Sequence, residues 1–170
     1  MIKIVKTKDL DKTTRSTLKQ YVTEEFGHIP LVSSTQWADP DWTIIYYHKN
    51  EIACFYNILE REIIVDGQAK QCAGINNVIT LKPFRGKGFA SKMLKETEGF
   101  IFTELKKDLG LLLCADSLLP YYSKLGWYKI DCPVVYNQGN TSILWIANTM
   151  IITPGAIIKP DQINLNGLPW

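Results

Sequence analysis

The sequence predicts a mixed α/β (α+β) fold in a single domain, residues 1–170, with a central mixed, mostly antiparallel sheet flanked by helices. Three observations carry this. "WTIIYYHK", "EIACFYNILEREIIV" and "AKQCAGINNVITL" are β-rich runs joined at Lys49-Asn50 and Asp66-Gly67, the second a strong two-residue hairpin signal. Apolar residues recur at helical spacing from Leu10 to Phe26 and again from Ala90 to Leu105. At 170 residues and 46% hydrophobic, the chain can bury one sizeable core but is short for two.

The elements follow in order. Residues 2–6 read as a strand. Leu10, Leu18, Tyr21, Val22 and Phe26 then mark a helix that stops before Gly27. "HIPLVSSTQWADPD" is polar and punctuated by proline, a loop or short helix suited to framing a pocket. Three antiparallel strands come next. Ala90, Met93, Leu94, Thr97, Ile101 and Leu105 predict one long amphipathic helix, with Lys106 and Lys107 in its last turn and Gly110 as its stop. "LLLCA" suits a buried strand, and "DSLLPYYSKLG" a short helix ended by Gly126. "WYKI" and "TSILWIANTMII" supply further strands, and residues 153–170 form a proline-spaced tail that packs against the rest.

Composition narrows the function. Nineteen basic and 17 acidic residues, spread along the chain for a net +2, lack the clustered footprint of a nucleic-acid binder. The start, "MIKIVKTKDL", has no signal-peptide core, and no apolar run approaches a membrane span, so the expected location is cytoplasmic. Cys54, Cys72, Cys114 and Cys132 are scattered and His28 and His48 isolated, so neither a metal site nor a disulfide framework is expected; all four cysteines read as buried thiols.

The chemistry concentrates at "LKPFRGKGFASKML", where a strand turns into a helix. Such a junction aims unpaired backbone N–H groups and the positive end of the helix at an anion, most often a phosphate. Gly86 and Gly88 permit positive φ and close approach, Arg85 and Lys87 can add charge-assisted hydrogen bonds, and Ala90 keeps the first turn thin. The plain alternative is a solvated glycine turn. A Walker loop and a dinucleotide fingerprint both require other spacings.

"TLKPFRGKGFASKML" resembles the coenzyme A signature of the GCN5-related N-acetyltransferases, [RQ]-x-x-G-x-[GA], filled by Arg85, Gly88 and Ala90. "PYYSKLGW" resembles the second hallmark of that superfamily, a tyrosine on a short helix before a Gly-aromatic pair. The similarity extends to the aminoglycoside 2′-N-acetyltransferases within it, through "IVKTKDLDKTTRSTLKQYVTEEF", "DLGLLLCADSLLPYYSKLGW" and "NGLPW".

The resemblance implies a GNAT fold with splayed central strands and acetyl-CoA as acetyl donor. Its implied cofactor contacts are Val78, Ile79 and Thr80 for the pantetheine arm and Arg85, Gly86, Lys87, Gly88, Phe89 and Ala90 for the pyrophosphate. Tyr122 takes the family's tyrosine position, a proton donor to the departing thiolate, with Tyr121 a lesser substitute. The acidic position that the aminoglycoside enzymes use as a base corresponds to Asn76, which cannot serve; Asn76 and Asn77 can order a water or bind the acceptor. Glu60, Glu62 and Asp116 are further acids without a reason to choose among them.

On the acceptor side the resemblance brings in Trp37 and Trp170, the latter through an α-carboxylate that would face an ammonium. Leu168 and Gln36 stand where the aminoglycoside enzymes have acids, leaving Asp39 and Asp41 in the loop. The expected acceptor is therefore a small-molecule primary amine, either aminoglycoside-like or, as the missing acids favour, a less cationic one, with Trp42, Tyr46 and Tyr47 lending aromatic character or filling the core. A protein or peptide acyltransferase and a non-catalytic acyl-CoA sensor are the other readings. Homodimerisation is common in similar enzymes, and "SILWIANTMII" either pairs across an interface or fills the core.

Overall fold

The computed structural model describes residues 1–170. Its strands are β1 (Ile2–Lys6), β2 (Trp42–His48), β3 (Glu51–Val65), β4 (Gln68–Thr80), β5 (Leu109–Cys114), β6 (Tyr128–Ile130), β7 (Val134–Gln138), β8 (Thr141–Leu144), β9 (Asn148–Ile152) and β10 (Ile163–Asn164). Its helices are α1 (Lys12–Phe26), α2 (Pro30–Ser34), α3 (Phe89–Glu96) and α4 (Leu119–Ser123). All ten strands join one sheet in the order β6-β9-β5-β4-β3-β10-β7-β8, with β2 and then β1 added along the first half of β3. The pairs β4–β5 and β10–β7 are parallel and the others antiparallel.

The meander at the centre is set by its turns. Lys49 and Asn50, and then Asp66 and Gly67, all adopt positive φ, the left-handed pair that matches the twist of two-residue hairpins. Alternation along β2, β3 and β4 sends one set of side chains to each face. On the first face Ile44, Tyr56, Ile58 and Ile75 pack with Met93, Leu94 and Ile101 and with Tyr122 and Trp127. On the second, Ile45, Phe55 and Ile79 pack under α1, and Ile63, Leu111 and Ile151 pack with Leu165 and Trp170 of the tail.

At 15 residues α1 is marginal alone, so it depends on its cap and on its buried stripe. Asp11 caps it, accepting from Thr14 N at 2.8 Å, and Leu18 is its one fully buried residue, worth about 1.5–3 kcal/mol. Tyr21, Val22 and Phe26 are half-buried beside it.

Four expectations are corrected. The long helix from Ala90 is interrupted at Thr97, whose hydroxyl bonds back to Met93 O at 2.8 Å and pairs with Tyr56. Beyond it the chain makes a π turn, Phe100–Glu104, closed by Leu105 N donating to Phe100 O, and leaves it through Lys106 at φ 52. Gly110 is therefore no helix stop; it lies within β5, where a Cβ would come within 2.9 Å of Trp127 and Ile152. The segment 141–152 is two strands with different partners: Thr141–Leu144 pairs with β7, a ladder extended by Trp145 N donating to Val134 O, whereas Asn148–Ile152, paired on both edges by β5 and β6, fills the core. Cys132 is partly exposed, while the other three thiols are buried. No helix is long and apolar enough to cross a membrane.

Candidate active site

The strand-to-helix junction has the geometry its glycines suggest. Gly86 and Gly88 sit at φ 75 and 74, with open space where a side chain would be. Gly88 occupies the N-cap of α3 and makes no side-chain cap, so the amides of the first turn point outward without an intrahelical partner. Arg85 leaves the turn in another direction: its Nε donates to Thr80 O at 3.0 Å and its guanidinium pairs with Glu25 at 2.6 Å, tying the loop to α1. Lys87 lies over the Phe84 ring. Phe89 turns its ring inward, stacked on Tyr46 at 5.0 Å and tilted against His48, so only its backbone faces the junction.

Next to this junction the sheet opens. β4 and β5 pair from Cys72↔Leu109 to Ile75↔Leu112 and no further, although β4 runs on to Thr80 and β5 to Cys114. Val78, Ile79 and Thr80 thus have a backbone edge without a ladder partner in β5, and such groups need hydrogen bonds from elsewhere. A β-bulge coincides with the parting: Phe55 pairs with Ile79 and Asn57 with Asn76, leaving Asn77 and Val78 opposite Tyr56, with Asn77 at φ 51. The extra residue resets the alternation. Asn76 and Asn77 consequently line the same cavity on the second face, while Val78 packs with the first-face core.

Tyr122 belongs to the first face. It is 5% exposed, packed edge-on to Tyr121 and Trp127 and close to Cys114, and its hydroxyl has no hydrogen-bond partner in the chain. Burial raises its pKa well above the usual tyrosine value, with smaller contributions from Tyr121 and Cys114. Tyr121 differs in that its hydroxyl accepts from Ser91 at 3.3 Å.

A cavity of about 560 Å³ elsewhere, at the β6–β9 end, holds Asp116, but the larger cavity on the second face, about 790 Å³, is the one that reaches the opened strands. Trp37, Asn76 and Trp170, the three acceptor-side residues named from the sequence, all line it, together with Asn57, Asn77 and Leu113. Trp170 is 2% exposed; its indole lies on Gly74 and donates to Leu111 O at 3.1 Å, bridging β4 and β5 just below their parting. Arg61 reinforces it, donating to Leu165 O and Leu168 O with its guanidinium over the indole. Trp37 Nε1 donates to Val32 O at 2.9 Å, fixing the ring.

The other acids are committed elsewhere. Burial works against the charge of Glu60, but hydrogen bonds from Lys107 and Trp42, each 2.7 Å, hold its carboxyl below its ordinary range. Asp116 accepts from Asn148 and Asp41 from Glu60 N, and Glu62 bonds with Gln71. Trp42 and Tyr46 are core residues, against Phe100 and Phe89, and Tyr47 packs beside the Ile45 cluster. The residue the sequence reading missed is Asn57, 8% exposed and without a side-chain partner; an amide inside the apolar run "ACFYNIL" was its signal.

A family model described as an acetyltransferase (GNAT) domain matches residues 14–130. Among solved structures, the chain is similar to Escherichia coli ElaA, with a TM-score of 0.64 and 15% identity over 89% of this chain and 98% of that one. It is also similar to Escherichia coli YhbS, a GNAT family N-acetyltransferase in complex with CoA, at TM-score 0.60 and 11% identity, covering 99% and 94% of the two chains. A GNAT family acetyltransferase from Brucella melitensis in complex with acetyl-CoA matches at 0.57 and 11%, covering 96% and 94%. At these identities the likenesses establish the fold.

Proposed function

The chain belongs to the acetyltransferase (GNAT) domain family, and from that premise we propose that it transfers an acetyl group from acetyl-CoA to the primary amine of a small molecule in the cytoplasm. It is an acyl-CoA-dependent N-acyltransferase by family and fold. The observation that carries the finer reading is the parting of β4 from β5 beyond Ile75 and Leu112, with the bare Gly88-capped helix on one side of it and an amide-lined cavity on the other.

The residues fit a diphosphate and an amide-bearing arm. The amides from Gly86 to Ala90, backed by the positive end of α3, would hold the diphosphate without requiring Arg85 to leave Glu25. Backbone groups of Val78, Ile79 and Thr80 would pair with the arm in place of the missing strand. The donor supplies an activated acetyl carbonyl.

Transfer needs a neutral amine nitrogen to form the C–N bond, the C–S bond to break, and a proton for the sulfur. Tyr122 keeps its proton at neutral pH because burial disfavours the phenolate, so it meets the departing sulfur as a hydrogen-bond donor; the proton passes to the thiolate as the C–S bond breaks and is replaced from solvent. The amine reaches the parting from the second face, where Asn76 and Asn77 orient it. Among side-chain carboxylates only Asp39 lines the cavity, near its entrance, so the ammonium proton leaves through water. The finer likeness to aminoglycoside 2′-N-acetyltransferases rests on the sequence alone.

Calorimetry with acetyl-CoA, followed by a thiol-release assay across an amine panel, tests the reading. Heat of association and amine-dependent thiol release are expected; no heat at millimolar acetyl-CoA would remove the donor and the function with it.

A further inference from the structure

The cavity on the second face has a charge pattern that identifies what enters it. Its lining includes Lys8, Arg15 and Lys19, all exposed at the entrance, against a single side-chain carboxylate, Asp39. None of the three cations has a carboxylate partner. Arg15 is held at the wall by donating to the carbonyls of Thr7 and Lys8 at 2.9 Å, which fixes its direction without neutralising it. The acids of the same helix, Glu24 and Glu25, line a different cavity, beside Arg85.

Deeper in lie three neutral carboxamides. Asn57, Asn76 and Asn77 make no side-chain hydrogen bond within the chain, and Asn76 Oδ1 is fully buried. Asn57 is more than nine-tenths buried on the same wall. A buried carboxamide oxygen without a donor is completed by an N–H or O–H donor, and an entering amine supplies one. Between floor and entrance the walls are apolar, from Leu18, Phe55, Trp37 and Trp170. The volume, about 790 Å³, is that of a small-molecule site.

Resting on the acetyltransferase reading, we propose that the acceptor is an amine that carries its own anionic group, a carboxylate or phosphate, joined by an apolar or neutral body. The amine meets the asparagine floor at the parting of β4 and β5, and the anion meets Lys8, Arg15 and Lys19. A polycationic amine is disfavoured by the same field that draws this acceptor in.

Matched probes differing only in the anion test this. Phenylalanine against phenethylamine reads carboxylate recognition, and glucosamine 6-phosphate against glucosamine reads phosphate recognition. In at least one pair the anionic member is expected to show about tenfold or greater kcat/KM. Lys19→Glu combined with Lys8→Glu erases that preference by raising KM for the anionic member, with KM for acetyl-CoA unchanged. Parity within both pairs, or preference for kanamycin over all four, overturns the inference while leaving the acetyltransferase reading intact. Acetyl-CoA binding with turnover of no amine in the panel overturns it as well. Absence of acetyl-CoA binding removes the acetyltransferase reading first.

Discussion

Tyr122 is held among Tyr121, Trp127 and Cys114 with its hydroxyl unpaired, in surroundings that keep the phenol protonated. Tyr122→Phe is expected to lower kcat about 100-fold and leave the acetyl-CoA dissociation constant unchanged, read by steady-state kinetics beside calorimetry. The sign of the pKa shift adds a second expectation: any alkaline limb in wild-type activity below pH 10 persists in the variant, because the phenol does not titrate there. Gly74 matters for the opposite reason, the absence of a side chain. A Cβ there would meet the Trp170 indole at 2.3 Å, and that ring is buried and hydrogen-bonded. Gly74→Ala should therefore destabilise the protein by about 1–3 kcal/mol in urea unfolding and shift Trp170 fluorescence. The placement of Tyr122 on a short helix was legible in the sequence through a motif. Gly74 was not, since a glycine in a strand does not announce which distant ring lies on it.

The elements were legible where local chemistry decides them. The hairpin at Asp66-Gly67 and the left-handed cap at Gly88 follow from what those residues alone adopt readily. The break at Thr97 was hidden because the apolar spacing continues through it into the π turn, and only the tertiary bond to Tyr56 marks the spot. That bond is testable. Thr97 donates to Met93 O, so Tyr56, fully buried, donates to Thr97. Thr97→Val strands the Tyr56 hydroxyl and should cost about 1–3 kcal/mol, whereas the double variant with Tyr56→Phe should recover part of that loss in chemical denaturation. The parting of β4 and β5 was legible only by family resemblance, and the bulge at Asn77, which aims two successive asparagines into one cavity, not at all. β7 went unseen because Pro133 and its short length weaken a signal that Val134, Val135 and Tyr136 do carry.

Across the whole molecule, modest net charge conceals an uneven arrangement. Arg15 and Lys19 sit four apart on α1 and nothing in the sequence sets them apart from its other cations; only the fold places them over a cavity. Stability should follow the paired acids. Asp11 is held below its ordinary range first by the Thr14 amide, and Glu60 by Lys107 and Trp42 against the opposing effect of burial. Because both folded-state values are depressed, their contribution is complete above the ordinary carboxylate values of 3.8 and 4.5 and is lost as pH falls through the lowered ones. Thermal unfolding should thus give a Tm that is level from neutral to about pH 5 and declines below, with Glu60→Gln flattening part of the decline.

β10 is two residues long, yet it is the ladder that joins β7 and β8 to β3. A ribosome delivers it after every strand it connects, and its partner Val65 lies most of the chain away. The β7–β8 hairpin has no strand partner in the rest of the sheet until Ile163 and Asn164 emerge, a long loop closure of the kind that slows folding. Trp170 follows still later, so the wall it gives to the cavity beside Asn76 and Asn77 is added after the sheet strands have all been made.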